Sequence, residues 1–350
     1  MSLFQAIQQQ IALFPTTAET PDNGELKQVA ETEELNVFRD PHGDYLYRLK
    51  RGHAPAALKV SADYSHIVKQ LGVPEEEVEN FRFLLRTAFE CRFCHQGIVS
   101  LHAACVEKDG FAVAFTGYSG LGKSTRAGAW VDALGASWMS GDRPAVRLEK
   151  DGCTACGVPW DGKEQIFCDA EAPLKCILDV RRSHVNYVRK LTPAQARLLL
   201  AQQTFIPMWD TDTAVLALSN IRRMVKLVPV YRVFCGRTPD DARAIYDILY
   251  NHPEQIREET EDMKIKKGFV LRNVVDEYMI MPTGDNIAKF DGTAVLNEVS
   301  AFVFKKLQNA VSRDDLLTAI LDEFDVDEQT AAKDLDNLLA KFRELNLIEE

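Results

Sequence analysis

Hydrophobic and polar positions change their spacing three times along the chain. In the first 95 residues, "LNVFRD" and "DYLYRL" alternate with a period of two, which predicts a hairpin closing around His42-Gly43. "EEEVENFRFLLRTAFECRF" then takes helical spacing, with Val78, Phe81, Leu84, Leu85 and Phe89 on one face. From about residue 97 the pattern is strand-rich. "GIVSLHAACVEKDGFAVAF" predicts a hairpin with Asp109-Gly110 at its tip. "SWMS", "PAVRLEKDG", "CTACGV", "KCILDV" and "VPVYRVF" predict further strands, with helices near 193–202, 212–225 and 238–250. Strands outnumber helices here, unlike the regular alternation of a doubly wound sheet. Residues 252–267, "HPEQIREETEDMKIKK", are charged throughout and predict a linker. Two short strands follow, "FVLRNV" and "EYMIMP". Three amphipathic helices come next, carrying Val299/Phe302/Val303/Leu307, Leu316/Leu317/Ile320/Leu321/Phe324 and Leu335/Leu338/Leu339/Phe342/Leu345. Ser312 and Asp327 are the expected N-caps. The expected organisation is thus an N-terminal α+β region (1–95), a core (96–251), the linker (252–267) and a small β-then-α domain (268–350).

Charge and cysteine content narrow the classes of function. With 41 Lys and Arg against 52 Asp and Glu, the 350-residue chain carries a net charge of −11. That argues against a nucleic-acid partner, which calls for a basic face. No apolar run is long enough to span a bilayer and no signal peptide is present, so the expectation is a cytoplasmic protein without a membrane partner. Eight cysteines include two C-x-x-C pairs, Cys91/Cys94 and Cys153/Cys156. The spacing between the pairs far exceeds that of a zinc ribbon, which favours buried apolar thiols over a zinc site.

The sharpest chemistry lies in "AVAFTGYSGLGKSTRAGAW". Gly117-Tyr118-Ser119-Gly120-Leu121-Gly122-Lys123-Ser124 fits G-x-x-x-x-G-K-[ST], between an apolar strand and a helix closed by Gly135. Glycines let backbone N–H groups turn around phosphate oxygens, and the helix beginning near Lys123 adds free donors and a positive dipole end. Gly117, Ser119, Gly120, Leu121, Gly122, Lys123, Ser124 and Thr125 are the expected nucleotide-binding residues. Lys123 serves the β- and γ-phosphates and the Ser124 hydroxyl serves Mg²⁺. No N-K-x-D motif for reading a guanine base occurs.

A phosphotransferase also needs a carboxylate for the metal or the nucleophile. Asp179 ends the apolar run Cys176-Ile177-Leu178. Asp142 lies in "SGDRPAVRL", twenty residues after Gly122. Pattern alone does not separate them. "SLHAACVEKDGFAVAFTGYSGLGKST", however, resembles the HPr kinase/phosphorylase family, related in fold to PEP carboxykinase, over about residues 97–250. That family places a histidine on the strand before the loop and an Asp-Asp-Arg about twenty residues after it. The resemblance therefore implies catalytic roles for His102 and Asp142, with Ser124 and Asp142 on Mg²⁺. Gly141 stands where the first aspartate belongs, which leaves one carboxylate for the tasks of two. "GVPWDGKE" (157–164) resembles a segment from a branch of HPr-kinase-like proteins, which implies Lys163 and Glu164 near the transferring phosphoryl or its acceptor. By composition alone the same segment is a turn with a solvated ion pair.

Residues 268–350 resemble PqqD-like proteins through "FVLRNVVDEYMIMP", "VLNEVSAFVFKKL" and the helices that follow. The resemblance implies a winged-helix-like α+β domain that binds the leader of a precursor peptide as an added strand, with 287–295 as the docking edge. Together the expectation is a strand-rich α/β P-loop core of HPr kinase/PEP carboxykinase type with a PqqD-type domain. It would use ATP and Mg²⁺ to phosphorylate a Ser or Thr of a precursor peptide or small protein. Two alternatives stay open: a catalytically degenerate module that presents a peptide to another enzyme, and a small-molecule kinase. HPr kinases form rings, so a homo-oligomer is a further option that no residue here decides.

Overall fold

The computed structural model describes every residue except 14–15, 18–25, 51–56, 71–77, 161–165, 184, 259–262, 275–276, 287–293 and 350, and absences stated below concern the described residues. The chain divides into two compact units, residues 1–258 and 259–350.

The first unit opens with α1 (Leu3–Leu13), β1 (Thr16–Thr17), β2 (Lys27–Glu31), β3 (Leu35–Arg39), β4 (Tyr45–Leu49), β5 (Ala57–Val60), β6 (Ile67–Gln70) and α2 (Val78–His95). It continues with β7 (Ile98–Ser100), β8 (Ala103–Lys108), β9 (Phe111–Thr116), α3 (Lys123–Leu134), β10 (Ser137–Ser140), β11 (Ala145–Leu148) and β12 (Cys153–Cys156). The long β13 (Glu171–Arg182) follows, then β14 (Tyr187–Lys190), α4 (Pro193–Gln202), α5 (Thr211–Leu227), β15 (Val230–Cys235), α6 (Pro239–Tyr250) and β16 (Arg257–Glu258). Both expected hairpins form. β3 and β4 pair from Leu35↔Leu49 to Arg39↔Tyr45. β8 and β9 meet through Asp109 and Gly110, whose φ values of 54° and 82° are those of a type I′ turn.

β1 to β6 build one sheet, and the remaining ten strands of this unit build a second sheet around β13. The first residues of β13 pair antiparallel with β12, and from Leu174 onward it runs parallel to β9. On its other side Ile177–Arg182 runs parallel to β15. Three parallel strands in the order β9-β13-β15 therefore end together, and in an open sheet the carboxyl ends of parallel strands are where ligands bind. Apolar residues cover both faces of this region. Ala112, Ala114 and Ile177 pack toward α4 and α5, while Val113, Phe115, Leu178 and Val180 pack toward α3 and α6. Such burial on both faces is why these strands read as continuous apolar runs. The boundary expected near residue 95 is crossed by one core: Tyr47 and Phe89 share it with Val158 and Trp160, the Phe89 and Trp160 rings lying 5.7 Å apart.

The second unit contains β17 (Lys264–Ile265), β18 (Phe269–Val274), β19 (Glu277–Pro282), β20 (Ala294–Leu296), α7 (Glu298–Lys306), α8 (Arg313–Glu323), α9 (Glu328–Glu344) and β21 (Ile348–Glu349). β18, β19 and β20 form an antiparallel sheet in that order, and β17 pairs with β21. Ser312 and Asp327 cap α8 and α9, each side chain accepting a backbone N–H three residues on. The three amphipathic faces share one core around Phe304, Leu316, Leu335, Leu339 and Phe342. The charged linker contains more structure than its composition predicted. Arg257–Glu258 pairs with β14, and Lys264–Ile265 pairs with β21 while Met263 and Ile265 are buried. Residues 287–293 of the expected docking edge lie outside the described residues, and its last two residues begin β20.

A separate core predicts separable stability. Phe342 is buried and meets Phe304 edge to face at 6.1 Å. Phe342→Ala should cost about 3–5 kcal/mol in the second unit. Urea unfolding, followed by hydrogen exchange resolved along the chain, should show that loss in 259–350 and unchanged protection in 1–258.

Candidate phosphate-binding site

The loop leaves β9 at Thr116 and enters α3 at Lys123. Gly117, Gly120 and Gly122 take φ values of 135°, 83° and 84°, which residues with a Cβ adopt only under strain. Gly117 is also tightly surrounded: a Cβ there would lie 3.3 Å from Asp179 Oδ1 and 3.4 Å from Val180 O. The Lys123 ammonium donates to the carbonyls of Gly117 (3.1 Å) and Tyr118 (3.4 Å), folding back over the loop it would share with a phosphate. Ser119, Gly120, Gly122, Lys123, Ser124 and Thr125 form one wall of a cavity of about 480 Å³. Leu121 does not line it. Its carbonyl faces Arg126 and its side chain faces Gly117.

His102, Gly141 and Asp142 line the same cavity. Backbone pairing brings them together: Leu101 N donates to Pro144 O, and Ala103 N donates to Asp142 O at 2.7 Å. His102 is fixed on both sides, its N–H on Gln203 O (2.7 Å) and its carbonyl accepting the Thr116 hydroxyl (2.9 Å). His102 Nε2 lies 3.4 Å from Asp142 Oδ1. Burial and then the Lys123 cation hold the imidazole below its usual pKa, while Asp142 pulls it upward. The ring is therefore neutral at pH 7 and able to accept a proton. Arg143 reaches toward both Asp142 (Nε to Oδ2, 3.8 Å) and Glu90 of α2 (Nη1 to Oε1, 3.4 Å). The Glu90 carboxylate is buried and also accepts the Ser100 hydroxyl at 2.8 Å.

Asp179 occupies a different place. Its position in β13 faces Thr116, at the start of the loop, but its carboxylate is fully buried and does not line the cavity. Oδ2 accepts from Arg181 (2.9 Å) and Arg232 (3.0 Å), so its charge is committed to two guanidinium groups. Lys163 and Glu164 lie outside the described residues.

Pattern reading missed three residues. Buried Arg126 donates to the carbonyls of Leu121, Arg181 and Cys235, and so ties the loop to the ends of β13 and β15. Glu90 looked like one more polar position of an amphipathic helix. Arg237 lines the cavity from the loop after β15; its only sequence signal was its place in "CGRTPDD", between a strand end and a helix cap.

The second unit has its own groove, of about 600 Å³, lined by Val299 and Val303 of α7, Phe324 and Val326 after α8, and Leu335 and Leu338 of α9. Asn297, which follows β20 directly, also lines it, and β20 is an edge strand. Among the described residues, no helix in the chain is long and apolar enough to cross a membrane.

Residues 277–348 match the family model described as Coenzyme PQQ synthesis protein D (PqqD), so the second unit carries a PqqD domain. No curated protein sequence matches the chain. Two solved structures share local similarity. A lasso peptide synthetase B1 complexed with the leader peptide is 14% identical, covering 25% of this chain and 98% of its own, with a TM-score of 0.22. The Hpr(Ser) kinase/phosphatase from Coxiella burnetii is 12% identical, covering 44% of this chain and 96% of its own, with a TM-score of 0.26.

The two aspartates should separate on mutation. Asp179→Asn leaves the buried Arg232 and the half-buried Arg181 without their carboxylate and should cost about 3–5 kcal/mol of stability. Asp142→Asn, on the cavity wall, should change stability by no more than about 1 kcal/mol. Denaturant titration of both variants checks this. Equal losses would remove the distinction.

Proposed function

We propose that the chain is an ATP-dependent kinase that phosphorylates a Ser or Thr of a precursor peptide or small protein, with the PqqD domain holding the leader. One observation carries the reading: the phosphate loop, with Lys123 and Ser124, lines a single cavity together with the His102–Asp142 pair. Loop amides and Lys123 hold the triphosphate. An acceptor hydroxyl entering beside His102 loses its proton to the His102–Asp142 pair as its oxygen attacks the γ-phosphorus, while the bond from that phosphorus to the β,γ-bridging oxygen breaks and ADP leaves. Ser124 and Asp142 fit Mg²⁺, which takes one or two protein oxygens and completes its shell with phosphates and water. Bound there, the ion neutralises phosphate charge. The leader lies along the β20 edge with apolar side chains in the α7–α9 groove. Holding the leader raises the local concentration of the acceptor without any new contact at the cavity.

Gly141 keeps the non-catalytic alternative in play, because Asp142 is the one carboxylate that lines the cavity among the described residues. Phosphate transfer from γ-labelled ATP to a candidate precursor peptide bound by the PqqD domain decides between the two readings.

Lys123→Ala should abolish MgATP binding by calorimetry, and Asp142→Asn should keep binding but lower transfer by about 10²–10⁴-fold. Wild-type turnover in either variant would remove that residue from the mechanism. Deleting 259–350 should raise the apparent KM for the precursor and leave ATP affinity unchanged. An unaltered KM would favour a small-molecule kinase.

A further inference from the structure

We infer that Arg237 is a second phosphate-binding cation of the cavity, supplied from the loop after β15 to grip the polyphosphate chain of the nucleotide together with Lys123. This rests on the nucleotide reading above and adds a residue that neither the loop motif nor the resemblance assigned.

Geometry carries the argument. Arg237 lines the same cavity as Lys123 and Ser124. Its guanidinium lies directly over Gly122, the N-cap of α3: a Cβ at Gly122 would stand 3.1 Å from Arg237 Nε and 3.3 Å from its Cζ. The loop amides, the positive end of α3 and the Lys123 ammonium already concentrate positive charge there. A guanidinium in that place meets like charge, and Arg126 Nη1 approaches the same Gly122 position to 3.2 Å. The two arginines differ in what surrounds them. Arg126 is buried and spends its donors on backbone carbonyls. Arg237 is exposed, and no described carboxylate pairs with it. Crowded positive charge of this kind is relieved by a bound polyanion, and the planar fork of Arg suits phosphate oxygens.

Neighbouring residues fix where Arg237 stands. Thr238 caps α6 in a reciprocal box, its hydroxyl receiving Asp241 N while the Asp241 carboxylate accepts Thr238 N at 2.8 Å. Asn186 Nδ2 holds the same carboxylate at 3.0 Å. Gly236 leaves the space this carboxylate fills, since a Cβ there would fall 2.2 Å from Asp241 Oδ2. Arg237 is thus clamped between a glycine and a capped helix start, and little backbone reorganisation is needed when phosphate arrives.

The test uses the full chain with Mg²⁺ and titrates ATP, ADP and inorganic tripolyphosphate by calorimetry. Arg237→Ala should weaken ATP and tripolyphosphate by about 10- to 100-fold, the worth of one or two charge-assisted hydrogen bonds. Arg237→Lys should recover part of the loss, because the charge returns without the fork. If Arg237→Ala binds both probes like the wild type while Lys123→Ala does not, Arg237 is a bystander and the nucleotide site stands. If Lys123→Ala also binds like the wild type, the nucleotide reading falls and this inference falls with it. Loss of ATP binding with tripolyphosphate binding unchanged would assign Arg237 to the nucleoside and overturn the inference.

Discussion

The parallel pairing of β13 with β9 on one side and β15 on the other is the constraint on which the first unit depends. It brings three carboxyl ends to one edge: the glycine loop after β9, Arg181 at the end of β13, and Arg237 after β15. Parallel strands must be joined by crossovers that cover the sheet, and here α3 and α6 pack on one face while α4 and α5 pack on the other. The apolar registers of Val113–Phe115 and Cys176–Val180 therefore do more than fill a core. A slip of one residue would turn each strand over and carry Asp179 away from Gly117.

Much of the positive charge at this edge is held by backbone carbonyls rather than by acids. Arg126 is bonded to Leu121, Arg181 and Cys235, and Lys123 to Gly117 and Tyr118. Asp179 is the exception, and it lies below the surface with two arginines of its own. A chain of net charge −11 can in this way present a local anion site, because exposed charges more than about 10 Å away are largely screened. Carbonyl partners keep these side chains in place without cancelling their charge.

Local signals were read well where the physics is local. The turn at Asp109-Gly110, the closure of α3 at Gly135 and the caps at Ser312 and Asp327 depend on residues within a few positions of one another. The phosphate loop belongs to the same group, since its conformation follows from three glycines. Residues acting over long separations were not legible. Glu90 meets Arg143 across more than fifty residues, and Arg237 meets Gly122 across more than a hundred. No periodicity encodes such pairs; only the sheet order creates them. The strands at 257–258 and 264–265 were hidden for another reason. Arg257 and Lys264 face solvent while Met263 and Ile265 turn inward, and two apolar residues in so charged a stretch give too little alternation to notice.

Gly141 then acquires a physical meaning in the proposed reaction. A pair of adjacent carboxylates can divide metal binding and proton acceptance between them, and mutual repulsion raises the pKa of one. A single carboxylate cannot gain that advantage from itself. His102 supplies it from a different direction. Burial and Lys123 keep the ring neutral, so it can accept a proton, and Asp142 at 3.4 Å stabilises the imidazolium once it has formed. Asp142, with Oδ1 toward the histidine and Oδ2 toward Arg143, would together with Ser124 hold the metal that neutralises phosphate charge. Arg143, shared with the buried Glu90, limits how far Asp142 can turn. On this view the replacement of an aspartate by glycine narrows the chemistry to one route and does not by itself abolish it, because the proton has a second place to go.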